Sequence, residues 1–374
     1  MRALALLLAA AFGSSAAEFR LAEPGYRYRF PRDHFAHPEF QTEWWYFTGN
    51  LRDSSDRRFG FELTFFRHAV TPQAASASPW SVRDLWMAHA ALSDIETGRF
   101  LWRERINRTG PGLAGADAAS GCVFNGNWQA CWEGEAMRLQ AVTDAFTLRL
   151  GLEPRKPPVI HGRDGISRKG AGAGRASHYI SLTRLSAAGT LDYAGRRFTL
   201  AGEAWMDHEF FTNQLEPEQT GWDWFSIQLD NDLELMLVRI RRADATADPF
   251  SHGTVVGASG ESRHLEASEF RLEPLESWTS PATGARYPVR WRILVFPLEL
   301  ELEATTPLKA QELAGSESLL PAYWEGAMDY RGRLRGRPVT GRGYLEMTGY
   351  DRPVRLSPPP PGRGGRAASA APRD

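Results

Sequence analysis

Apolar residues in this chain alternate with polar ones far more often than they recur at helical spacing. Phe59, Phe61, Leu63 and Phe65 fall on one face of a single strand, and Leu233, Leu235 and Leu237 fall on one face of another. Most other apolar runs are short and bounded by Gly, Asn, Asp or Pro, which predicts strands joined by turns. Turn signals recur at Glu96-Thr97-Gly98, Ala188-Gly189, Ala194-Gly195 and Asp230-Asn231. Arg155 to Ala176 is rich in Pro, Gly and Arg and predicts a long loop, a kind of segment that often carries function. From residue 357 the chain turns Pro-rich and then Ala/Ser-rich, so residues 357–374 are expected to be disordered.

The pattern also repeats. Trp44-Trp45-Tyr46-Phe47-Thr48-Gly49-Asn50-Leu51 aligns with Trp222-Asp223-Trp224-Phe225-Ser226-Ile227-Gln228-Leu229. After a turn that is longer in the first copy, Phe61-Glu62-Leu63-Thr64-Phe65-Phe66-Arg67 aligns with Leu233-Glu234-Leu235-Met236-Leu237-Val238-Arg239. Each copy is an aromatic strand, a polar turn and an apolar strand ending in Arg. Two β domains opening with the same hairpin are predicted, over residues 18–211 and 221–356, joined by a polar linker at 212–220. Each is near the size of an eight-stranded antiparallel barrel, whose interior can hold one small ligand.

At 374 residues the chain suits two domains, and 42% hydrophobic with 24% charged residues is a core-forming composition. Lys plus Arg number 44 and Asp plus Glu 45, so there is no basic excess to support a nucleic-acid role. The unusual count is 13 Trp, with 20 Phe and 10 Tyr, enough for large β cores and for pockets that take flat or apolar ligands. Residues 1–17 read as a signal peptide: Arg2, an apolar run from Ala3 to Phe12, and small residues up to Ala17. No cysteine follows the run to carry a lipid anchor, and no other segment is apolar enough for a membrane helix. The expectation is a periplasmic or secreted protein. Its two cysteines, Cys122 and Cys131, fall opposite each other if Gly126-Asn127 forms a two-residue turn, and a disulfide across that hairpin is expected in an oxidising compartment. A turn at Asn125-Gly126 would shift the register and leave two free thiols.

The chemistry-bearing run is Ala204-Trp205-Met206-Asp207-His208-Glu209-Phe210-Phe211. On a strand, Asp207 and Glu209 share one face and His208 takes the other. A carboxyl group buried among aromatics has a raised pKa, which is what a proton donor near neutral pH needs. A salt-bridged structural cluster at the domain junction accounts for the same residues. Glu43-Trp44-Trp45-Tyr46 sets a similar question: core packing explains alternate members, so one face must meet a cavity, another domain or solvent. His89 lies in an apolar strand, where a lone His is more often a core residue than a ligand. HxH and HExxH spacings, a Walker loop and a G-x-S-x-G elbow are absent, and Gly170 to Gly174 lack a strand-to-helix context. Neither a metal nor an organic cofactor is expected.

Taken together, Glu43 to Leu51, Ala204 to Glu209, Gly221 to Leu229, Tyr323-Trp324-Glu325-Gly326-Ala327 and Gly343 to Tyr350 resemble the carotenoid 1,2-hydratase/AttH-like family, over about His37 to Tyr350. The resemblance implies an all-β protein made of two tandem lipocalin-like antiparallel β-barrels. It also implies a range of activities, from hydration of a terminal carotenoid double bond to pericyclic cyclisation, and it makes Asp207 the acid of a hydratase. The family often has Trp where this chain has Phe210, a change that keeps an aromatic side chain. Asp207, His208 and Glu209 are then the candidate catalytic residues, with Trp44, Trp45, Tyr46, His89, Trp205, Trp222 and Trp224 as candidate contacts to substrate. Three functions follow: acid-promoted addition of water to an apolar alkene, a non-catalytic carrier for a lipid or polyene, and a carbohydrate-active protein using Asp207 and Glu209. The expected partners are an apolar small molecule and, peripherally, a membrane surface or a membrane transporter.

Overall fold

The computed structural model describes residues 18–78, 80–315 and 321–355; the expected signal peptide and the Pro-rich tail lie outside the described residues. The architecture is all-β, two curled antiparallel sheets of which one is a near-barrel and the other a half-barrel. In the first, β1 (Thr42–Arg52), β2 (Arg58–Ala69), β3 (Asp84–Asp94) and β4 (Arg99–Arg108) form a meander. Short strands β5 (Ala114–Asp117), β6 (Cys122–Asn125), β7 (Trp128–Glu133), β8 (Ala136–Val142) and β9 (Phe146–Pro154) follow. Next, β10 (Val159–Ile160) and β11 (Ser167–Arg168) lie against the long β12 (Ala176–Tyr193), which pairs with β13 (Arg196–Phe211). Because β13 also pairs with β1, the sheet runs β4-β3-β2-β1-β13-β12-β9-β8-β7-β6-β5. The edge strand β4 approaches β6, next to the opposite edge, where Arg105 donates to the Asn125 carbonyl at 2.8 Å and Asn107 to the Asn125 side chain at 2.6 Å.

The second sheet contains β14 (Gln219–Leu229), β15 (Glu234–Arg242), β16 (His252–Val256), β17 (Ser262–Glu266) and β18 (Phe270–Thr279). It is completed by β19 (Arg286–Val295), β20 (Leu300–Thr305), β21 (Glu312–Leu313), β22 (Tyr323–Leu334) and β23 (Arg337–Met347). β14 and β23 pair at its centre, so the sheet runs β17-β16-β15-β14-β23-β22-β20-β19-β18.

The repeated hairpins are β1/β2 and β14/β15, each central in its sheet. Alternation sends one set of side chains into each barrel: Trp45, Phe47, Phe61, Leu63 and Phe65 fill the first, and Phe225, Ile227, Leu235 and Leu237 the second. A lumen open to a ligand, the expectation from barrel size, is therefore not what the sequence builds; both interiors are packed with apolar side chains. The other set faces the opposite sheet. Trp44 stacks on Trp222 at 6.4 Å, and Tyr46 meets Trp224 edge-to-face at 5.2 Å, so equivalent positions of the repeat meet across the junction. Asn50 donates to the Gly343 carbonyl at 3.0 Å, while its counterpart Gln228 donates to the Ala204 carbonyl at 3.0 Å.

Two further expectations come out in detail. Asn125 pairs with Trp128 around Gly126 at φ +61°, which puts Cys122 opposite Cys131, and the two are joined by a disulfide. Residues 155–176 are more than a loop: β10 and β11 pin them to β12, and Lys156 reaches across to Glu234 at 2.6 Å.

Candidate active site between the barrels

The faces left over by lumen packing enclose a cavity of about 470 Å³ between the two sheets. Trp44, Tyr46, Phe66, Trp222, Trp224 and Ile240 supply much of its apolar wall. Its polar wall is mainly acidic: Glu62, Asp207, Glu209 and Glu346, with Lys169 opposing them. A volume of this size, mostly apolar with a few convergent polar groups, suits a small organic ligand.

Asp207 is 4% exposed and carries three donors. Tyr179 donates to Oδ2 at 2.5 Å, Trp205 Nε1 donates to Oδ1 at 2.6 Å, and Ser181 also donates to Oδ1. Burial pushes the carboxyl up, the three hydrogen bonds pull it down, and burial prevails, leaving it at about 7. Behind it, His161 meets Ser181 at 2.6 Å and Thr254 at 2.8 Å, and burial followed by the charge on Lys169 keeps that imidazole neutral, pulled down to about 3. Glu209, two residues on, accepts from Gln214 at 3.1 Å and lies 3.8 Å from Lys169. Burial raises Glu209 and lowers Lys169.

Asp207 belongs to a row. Ser181, Asp207, Tyr46, Thr64, His89 and Glu104 stand directly opposite one another across β12, β13, β1, β2, β3 and β4. Glu62 lies two residues from Thr64, hence on the same face. From the other sheet, Glu325 and Glu346 face each other across β22 and β23. Tyr46 donates to Glu325 at 2.7 Å, and Trp222 hydrogen-bonds Glu346. Burial pushes Glu346 up to about 8, and burial with the neighbouring Glu62 and Glu346 carries Glu325 well above the usual carboxylate range.

A profile of the AttH-like family matches residues 21–350. The chain belongs to the AttH-like family. Among solved structures, a candidate AttH of Nitrosomonas europaea is 34% identical with a TM-score of 0.80, the match covering 89% of this chain and 99% of that one. Kievitone hydratase from Nectria haematococca is 16% identical at a TM-score of 0.66, covering 90% of this chain and 97% of its own. CghA is 13% identical at 0.52, covering 83% and 88%. At these last two identities the likeness is one of fold. No curated protein sequence matches this chain.

On this AttH-like scaffold the sequence-predicted residues separate by strand face. Trp44, Tyr46, Asp207, Glu209, Trp222 and Trp224 converge on the cavity. Trp45 does not: it points into the first lumen, where it stacks on Trp86 at 5.8 Å and on His208 at 4.7 Å. His208 follows it there by the same alternation, and its Nε2 donates to Glu43 Oε1 over 2.8 Å. The ion cluster that the Asp-His-Glu run also allowed thus exists, but around Glu43. That carboxylate accepts from Arg67 at 3.0 Å and lies 2.7 Å from His37 Nδ1. Burial would raise Glu43, but His37 and Arg67 hold it far below the usual carboxylate range. His37, Glu43 and His208 place donor atoms within 4.8 Å of one another, the spacing of a metal site. Glu43 is already committed to the Arg67 cation, so the set acts as a buried structural ion cluster. Trp205 stands behind Asp207 as its donor, and His89 stands behind the wall, 2.6 Å from the cavity-lining Tyr323. Glu62, Glu346 and Lys169 were not singled out from sequence. The available signal was a lone carboxylate inside an apolar strand, as in Phe61-Glu62-Leu63 and Leu345-Glu346-Met347.

Proposed function

We propose that this AttH-like protein takes an isoprenoid, polyene or lipid-like alkene into the cavity between its barrels and adds water across a carbon–carbon double bond. The observation that carries the reading is Asp207, a buried cavity-wall carboxyl held by three neutral donors rather than by a cation. In its acid form it gives a proton to the less substituted carbon of a trisubstituted alkene, the π electrons forming the new C–H bond. The tertiary cation left behind is attracted by the faces of Trp44, Trp222 and Trp224 and by the Asp207 carboxylate. Water then bonds to the cation and loses a proton, giving a tertiary alcohol. Glu209 is too closely engaged with Gln214 and Lys169 to serve as the same acid, and its role is to keep Lys169 in place.

The cavity mouth favours the same class of ligand. Leu85 and Ile106 line it while remaining 37% and 43% exposed, and Val70, Trp80 and Val82 on the adjoining segment are exposed too. An apolar rim of this kind supports collection of ligand from a membrane surface, and the N-terminal run supports export.

The test is Asp207→Asn with farnesol and lycopene as probes. Turnover is expected to fall at least about 100-fold, while quenching of tryptophan fluorescence shows both probes still binding. Binding by the wild type without any conversion supports the carrier instead. Unchanged turnover in the variant removes Asp207 as the acid.

A further inference from the structure

We propose that Glu62 is the base that takes the proton from the adding water, and that Tyr323, His89 and Glu104 form the path by which this proton leaves the site. The proposal rests on the hydration reading above and supplies its second proton transfer. Glu62 lines the cavity and is 2% exposed. Its Oε1 accepts from Thr64 at 2.8 Å and from Tyr323 at 3.1 Å, whereas the buried Oε2 has no partner. A buried acceptor left unsatisfied costs about 1–3 kcal/mol, and a water or ligand hydroxyl in the cavity removes that penalty. From Tyr323 the chain continues to His89 Nδ1 at 2.6 Å, and from His89 Nε2 to Glu104 Oε2 at 2.9 Å. His89 is 1% exposed and the Glu104 side chain 14%, so the chain runs from a closed wall to the edge of solvent. Asp207 lies two strands away from Glu62 and one pleat repeat along, about 12 Å between Cα atoms at ordinary strand spacings. That separation leaves room for an alkene and a water between acid and base.

Other carboxyls in the wall fit the role less well. Glu325 is bonded to Tyr46 and Glu346 to Trp222 rather than to a histidine relay, and burial pushes Glu346 up to about 8 and Glu325 well above the usual carboxylate range. Three neighbouring carboxyls without a cation do not all ionise. Burial raises Glu62 as well; what fits it to take the proton is its unpartnered Oε2 at the head of the hydrogen-bonded chain Tyr323–His89–Glu104. The step balances. Water forms its C–O bond to the cation as Glu62 Oε2 takes one of its protons. The protonated carboxyl turns about its Cγ–Cδ bond to face Tyr323, whose hydroxyl swings from Glu62 to the unprotonated Nδ1 of a neutral His89; the carboxyl proton then passes to the phenol oxygen as the phenolic proton passes to Nδ1 and the Nε2 proton to Glu104 and solvent. Asp207 regains a proton from water entering the mouth, so each turnover consumes one water and needs no redox partner.

The full chain carrying Glu62→Gln, His89→Gln, Glu346→Gln or Asp207→Asn is assayed for hydration of farnesol and for farnesol binding by tryptophan fluorescence. E62Q is expected to lower kcat about 100-fold with affinity unchanged. H89Q is expected to lower kcat about 10-fold at constant KM, with millimolar imidazole restoring part of the loss and doing nothing to the wild type. This rescue keeps the test decisive if E62Q fails to fold, since a merely structural His89 would not answer to imidazole. Full activity in E62Q beside an inactive D207N overturns the proposal and leaves hydration standing, and loss in E346Q alone would move the base to Glu346. Absence of hydration in the wild type overturns the hydration reading itself, and this proposal with it.

Discussion

Burial and hydrogen bonding pull the Asp207 carboxyl in opposite directions, and the balance sets both its chemistry and its effect on stability. Its ordinary pKa is 3.8 and its value in the folded chain is about 7. Below about pH 4 the group is protonated folded and unfolded, so it exerts no pH-dependent penalty. Between those values the unfolded chain ionises while the folded one keeps its proton, and stability falls as pH rises. Above about pH 7 the penalty is complete, worth roughly 4 kcal/mol. Urea denaturation of Asp207→Asn is therefore expected to show a flatter pH dependence than the wild type between pH 4 and 7. An identical slope would mean that Asp207 is ionised throughout. Hydration, which needs the acid form, is expected to decline above pH 7 in the same protein. This residue was legible in sequence because three ionisable groups interrupt an aromatic run. Glu62 and Glu346 were not, because a single carboxylate in an apolar strand reads equally well as a solvent-facing position until the sheet beside it is known.

Strand alternation explains the run of bulky residues at 43–47. In an ordinary half-exposed strand only every second side chain is large. β1 is covered on both faces, by its own lumen and by the second sheet, so Tyr46 is buried like Trp45 and Phe47 while Trp44, half-buried, forms part of the cavity wall. The same reasoning from sequence assigned Asp207 and Glu209 to one face and His208 to the other, as the structure has them; what it lacked was the identity of each face. Close approach also fixes where strands tolerate no side chain. A Cβ added at Gly343 would sit 1.9 Å from the Ser226 carbonyl oxygen of β14, and the Gly343 carbonyl is the one that receives Asn50 from the other barrel. Gly343→Ala is expected to destabilise the protein by about 1–3 kcal/mol or more in chemical denaturation. A neutral effect would mean that β14 and β23 are free to separate at that point.

At the scale of the molecule, the repeat foretold two sheets but not that their outer faces would make the site. Eight-stranded size argues for a ligand in a lumen. Here the lumens are filled by Trp45, Phe65, Trp291 and Trp324 among others, and the space remains between them. Only the relative placement of the barrels creates it, and that placement depends on long-range pairs with no local signature: Lys156 with Glu234 at 2.6 Å, Arg184 with Glu234 at 2.6 Å, and Arg58 with Asp329 at 2.7 Å. The cavity is thus a property of the tandem, with one acid on the first barrel, aromatic faces from both, and an apolar mouth.

Mass spectrometry of the product formed in D₂O tests this account most directly. Wild-type protein incubated with farnesol in D₂O is expected to yield a tertiary alcohol carrying one carbon-bound deuterium beside the new hydroxyl, and Asp207→Asn is expected to yield none. Farnesol recovered unlabelled and unhydrated from a wild-type complex that holds it in the cavity would contradict the account.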